Sequence, residues 1–235
     1  MEVNDIEILR DGLQKTFNQL VIKIEKIQIG NKKQFPYGWR NAKKGRTVWR
    51  IVEEVVTQNL EKYSDKFNLR NVTIPDSEVG IYDLKCSLKE SPNMAFINIK
   101  TALLDGIRQK DDISKANKIK KFYSDTEKKA LFIATFFVKF NDDLSIEIKK
   151  VNVFPLDWIS DIYVNPSNNG NLQSKEYKNL DNAIKRKSSD FHSLLLDEIT
   201  FSNAKKSKSV GEIIEHPNGK KFKKQESKRW KEINE

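Results

Sequence analysis

The chain has 235 residues, 37% of them hydrophobic, which suffices for one large domain and excludes global disorder. No apolar run reaches the ~18–20 residues of a membrane span. The opening MEVNDIEILRDGLQ lacks a signal-peptide layout, and the single cysteine, Cys86, excludes a disulfide framework or a cysteine zinc cluster, so a soluble, cytoplasmic protein is expected.

Lys and Arg (43) exceed Asp and Glu (33), a net charge of +10 suited to a polyanion such as nucleic acid or an anionic membrane surface. The excess is concentrated in two stretches. One, Asn31 to Arg46, interleaves Lys32, Lys33, Arg40, Lys43, Lys44 and Arg46 with Phe35, Tyr37 and Trp39 and holds no acid; the other runs from Lys205 to the end with ten basic and five acidic residues.

In chain order, Ile6, Leu9, Leu13, Phe17, Leu20, Val21 and Ile24 have the spacing of one amphipathic helix over 6–27, ended by Gly30. The basic-aromatic segment reads as a loop, after which Thr47 is placed to cap a helix with Val48, Ile51, Val52, Val55 and Val56 on one side. VGIYDLKCSL (79–88) and MAFINIKTAL (94–103) read as strands separated by a turn. A polar helix is expected over 112–125, then a strand over 131–140 and a hairpin through NDD into LSIEIKKVNVF. Residues 155–180 read as irregular, 181–196 as a helix, and the lysine-rich tail as a terminal helix. The order implies a single α/β domain, a mixed β-sheet flanked by helices.

The segment that carries chemistry is IYDLKCSLKESPNMAFINIKTAL. Strand alternation places Phe96, Asn98 and Lys100 on one face and the apolar Ala95, Ile97 and Ile99 on the other. Pairing with the preceding strand brings the Asp83 carboxylate beside Asn98 and Lys100. A pocket of carboxylate, amide carbonyl and backbone carbonyl (that of Ile99) suits a hard divalent cation such as Mg²⁺, and a neighbouring ammonium orients or helps deprotonate a water.

This arrangement resembles the active site of the PD-(D/E)xK nucleases, type II restriction endonucleases in particular. The resemblance implies a restriction-endonuclease-like core over about residues 45–140, with Asp83 as the first acid, Asn98 at the second acid, Ile99 as the buried x and Lys100 as the lysine. Asn98 departs from the usual acid and removes one negative ligand. The helix before the first catalytic strand often supplies a glutamate in this family; helical phase favours Glu53, which borders the apolar side, over Glu54, which lies nearly opposite. Asp76 and Glu78, after Pro75, form a competing register for the first acid. The family also implies a homodimer acting on double-stranded DNA and a companion DNA methyltransferase.

For DNA contacts, Lys43, Lys44 and Arg46 are placed to meet phosphates, while Asn168, Asn169, Asn171, Gln173 and Lys175 in NPSNNGNLQSK have side chains able to read base edges. In the basic segment from about 203 to 235, phosphate contacts are expected. His192 and His216 have no evident acid partner, and there is no phosphate-binding GxxxxGK loop. Two other readings stand beside restriction: a repair or resolvase-type nuclease on the same fold, and a non-catalytic DNA-binding module.

Overall fold

The computed structural model describes residues 1–40, 45–75, 80–104, 106, 110–125, 127–167 and 170–233. Over these the chain is a mixed α/β protein with four helices, a curled six-stranded mixed sheet and two three-stranded sheets. Among the described residues, no helix is long and apolar enough to cross a membrane.

The main sheet is built from β1 (Ile27–Gln28), β2 (Leu69–Thr73), β3 (Leu84–Leu88), β4 (Met94–Leu103), β6 (Lys129–Phe140) and β7 (Ser145–Pro155), in the order β1-β7-β6-β4-β3-β2. Only β4 and β6 run parallel. Residues 131–136 of β6 are fully buried, and Ala95, Ile97 and Ile99 of β4 are buried beside them, because both faces are covered there. Helix α1 (Val3–Lys23) buries Ile6, Leu9, Leu13, Phe17 and Leu20, and Phe17 meets Phe136 at 5.8 Å between ring centres. Phe136 opposes Thr101 across the ladder, so α1 lies on the face of Ile97 and Ile99. The other face carries Phe96, which packs on Phe122 of α3 (Ala116–Tyr123) at 5.0 Å. Helix α2 (Gly45–Lys62) buries Val48, Val52, Val56 and Leu60, a four-residue repeat that faces the sheet near β4.

Several expectations are corrected. The first helix stops at Lys23, because Ile27 and Gln28 extend to pair with β7. Helix α2 begins at Gly45, so Thr47 lies within its first turn. The strand expected over 79–88 is shortened to β3, and β2 adds an unforeseen neighbour. Asp111–Lys115 is a strand, β5, and only the residues after it are helical; it pairs with β9 (Asn171–Ser174), which pairs with β8 (Tyr163–Asn165). The 155–180 region therefore carries a sheet. The last helix, α4, runs over Ser188–Lys206. Residues 183–187 are extended because their hydrogen bonds go to tertiary partners: Ile184 N–H to Trp158 O, and Arg186 Nη1 to the carbonyls of Asp157 and Ile159. The tail is a three-stranded antiparallel sheet, β10 (Ile213–Glu215), β11 (Lys221–Lys224) and β12 (Trp230–Ile233). Its first turn is made by Asn218-Gly219, with Gly219 at φ +84°.

Candidate active site

The site forms where the β3–β4 ladder ends. Asp83 immediately precedes β3, and its N–H donates to Ile97 O at 2.8 Å, the last backbone link of that pairing. Its carboxylate then takes over as acceptor: Oδ2 receives the Ile99 N–H at 2.7 Å. Because the N–H and C=O of one strand residue point to the same side, the Ile99 carbonyl also faces Asp83.

Asn98 is buried, and its Nδ2 donates to Ile81 O at 3.1 Å. Only the amide nitrogen can donate to a carbonyl, which fixes the orientation. Oδ1 is thereby left buried with no hydrogen-bond partner, as is the neighbouring Thr101 Oγ1. Both residues line a pocket of about 440 Å³ shared with Asp83, Lys100 and Glu53.

Glu53 reaches this pocket from α2, its side chain only 15% exposed and paired with Arg50 Nη1 at 2.8 Å. Burial raises its pKa, the Asp83 charge adds to the rise, and Arg50 opposes it. Asp83 is likewise raised by burial, against the Ile99 N–H, Lys100 and Arg50. Lys100 is lowered by burial while Asp83, Asp111, Asp112 and Glu53 draw it back up. Glu54 is exposed and accepts from Gln58 Nε2 at 2.9 Å on α2 itself.

The facing wall escaped the sequence reading. Asp111 and Asp112 of β5, with Tyr177, line the pocket opposite Lys100. Asp111 accepts from Tyr177 Oη at 3.1 Å and from Lys178, and Asp112 accepts from Asn171 Nδ2 at 3.1 Å and Gln173 Nε2 at 2.6 Å. Two of the expected base readers thus have their amide donors engaged by this wall. Arg46 is exposed at the pocket mouth, and Lys175 is exposed with its Nζ 3.6 Å from Glu176. Lys43, Lys44, Asn168 and Asn169, and the alternates Asp76 and Glu78, lie outside the described residues.

In the loop ahead of α2, Trp39 is buried against Phe140, with its Nε1–H on Asn141 O at 2.7 Å, whereas Tyr37 stays exposed with Arg40 over its ring. His216 does have an acid partner, Glu198, at 2.8 Å, which corrects the sequence expectation.

Among the described residues no group of three or more carboxylate, imidazole or thiolate side chains is placed to hold a metal ion by itself. The donor set is mixed: the Asp83 carboxylate, the orphaned Asn98 Oδ1 and the Ile99 carbonyl, with Glu53 beside them. All are oxygens, which suits Mg²⁺, an ion that keeps several waters and takes only one or two carboxylates from the protein. The unsatisfied Oδ1 and the two mutually repelling acids are what a cation would relieve. No protein-family model matches the chain, and no curated protein matches it either.

Proposed function

We propose that the chain is a Mg²⁺-dependent endodeoxyribonuclease of the type II restriction class, with a restriction-endonuclease-like core, that hydrolyses both strands of a short duplex site. The reading is carried by one observation: the buried, unpartnered Asn98 Oδ1 in the pocket that also gathers Asp83, Glu53 and Lys100. Asp83, Asn98 and the Ile99 carbonyl hold the ion, and Glu53 assists or holds a second one. Bound Mg²⁺ supplies Lewis-acid polarisation of the scissile phosphate and a more acidic water.

The chain's own groups do the rest. Lys100 Nζ, standing on the strand face next to Asn98, orients the attacking water. Arg50 holds the Glu53 carboxylate in the pocket. Asp111 and Asp112 close the opposite side, and Arg46 at the mouth meets the DNA backbone. One site per subunit cuts one strand, so a homodimer matches a two-fold symmetric target. A companion methyltransferase protects host DNA.

Incubation of the full-length protein with unmodified plasmid in Mg²⁺ tests the reading. Discrete fragments, absent in EDTA, are expected; Lys100→Ala abolishes them while DNA binding stays within a few-fold. Cleavage confined to junction or mismatch substrates would move the assignment to a repair nuclease. The amide at position 98 favours one competing reading, a DNA-binding module without chemistry, and DNA binding with no metal-dependent cut would establish that instead.

A further inference from the structure

A second cavity, of about 780 Å³, lies between α4, β8 and the C-terminal sheet. Its volume falls in the ~300–1,000 Å³ range of pockets that enclose a small molecule. Its lining includes Lys205, only 9% exposed, with Nζ 3.8 Å from the centre of the Phe201 ring and 5.6 and 5.7 Å from those of Phe222 and Tyr163. Among the described residues no carboxylate pairs with this ammonium and no acceptor takes a hydrogen bond from it. The nearby acid, Glu198, is committed to His216. Burial lowers the lysine's pKa, and only the charge of Glu198 counteracts that. The ammonium thus rests on ring faces with no anion paired to it, and an anionic group entering the cavity would meet it there.

The rest of the cavity suits a ligand that is both anionic and aromatic. Trp230 and Phe222 add ring surface, and the exposed Lys206, Lys228 and Arg229 add positive charge. Tyr163 on β8 and Asp112 on β5, the two outer strands of one sheet, both pair with Gln173 of β9 and so share a face. At strand spacing that places the two pockets' walls roughly 10 Å apart. That is a distance one polyanion can span.

We propose that this cavity receives a single unstacked nucleotide of the DNA, its base against the aromatic wall and its phosphate on Lys205; the inference rests on DNA being the substrate of the Asp83 site. Flat rings stack on aromatic side chains whatever the base, and phosphate satisfies the buried ammonium.

The test uses the full-length protein in EDTA and two short fluorescein-labelled duplexes, one fully paired and one with a single unpaired nucleotide, read by anisotropy. The unpaired nucleotide should tighten binding by about tenfold, the equivalent of one stacked base. Lys205→Met and Trp230→Leu should each bring that ratio close to one, whereas Lys100→Ala keeps it. Lys205→Met keeps a stem of similar length and removes the charge, so its melting temperature without DNA should stay close to that of the wild type; were it to fall, Trp230→Leu alone decides. A wild-type ratio near one, or a ratio that survives both substitutions, overturns the proposal. So does stabilisation by free dAMP as large as that by the bulged duplex, which would make this a small-molecule nucleotide site. A ratio that behaves as expected in a protein that never cleaves would keep the cavity's role and sink only the nuclease reading.

Discussion

Asp83 carries two separable burdens, and a pair of substitutions divides them. Its Oδ2 is the partner of the Ile99 N–H at 2.7 Å, where the β3–β4 ladder ends, and that N–H is on a strand with buried neighbours. Asp83→Ala strands the donor, which costs about 1–3 kcal/mol for a buried unsatisfied group. In a chain of this size each kcal/mol corresponds to roughly 2–4 °C, so the melting temperature should fall by roughly 2–12 °C. Asp83→Asn keeps an acceptor oxygen in place and should melt within about 1 kcal/mol of the wild type, the difference between a charged and a neutral hydrogen bond. Plasmid cleavage should be lost in both, since neither retains the carboxylate. Thermal melts and a nicking assay on the same preparations read the two effects. An Asp83→Ala protein as stable as the wild type would refute the hydrogen-bond argument, and an Asp83→Asn protein that still cuts would refute the assigned chemistry.

Three further outcomes are expected. Asn98→Asp removes the donor to Ile81 O and adds a third negative group, so cleavage should reach half-maximal rate at lower Mg²⁺; an unchanged Mg²⁺ titration would remove Asn98 from the ligand set. Phe17→Ala should lower stability by about 3–5 kcal/mol, read as a reduced urea midpoint, because Phe17 is fully buried against Phe136. Asp143 is held down to about 2 by Lys26 and Ser145. A folded value below the unfolded one gives stability that is present above the unfolded pKa of ~3.9 and lost as pH falls toward the folded value. Asp143→Asn should flatten the stability profile between those pH values and leave its slope at higher pH unchanged.

How much of the site could be read in the chain depends on the range of the interactions involved. Met94–Leu103 was legible because period-two alternation is a local property, and it put Asn98 and Lys100 on one face before any partner strand was known. Glu53 could be separated from Glu54 by helical phase alone, and Glu54 indeed bonds back along its own helix. Asp111 and Asp112 were not legible: they reach the pocket only because β5 pairs with β9, two short polar segments with no strong pattern. The tail is a different case. Asn218-Gly219 is a local hairpin signal, present in the sequence but outweighed by the density of lysines around it. The displacement of α4 has a tertiary cause, the hydrogen bonds that the Ile184 N–H and the Arg186 guanidinium give to carbonyls of the Trp158 segment.

Because β4 and β6 are parallel neighbours, the chain must travel from one end of the sheet to the other between residues 103 and 129, and that excursion carries β5. The detour that topology demands is thus also the bank of the cleft facing Lys100. Changes in its length or charge would alter the shape of that cleft without moving any ladder of the main sheet. One bank of the cleft and the main ladders thus come from different stretches of the chain, so the first can be altered by substitution while the second is held.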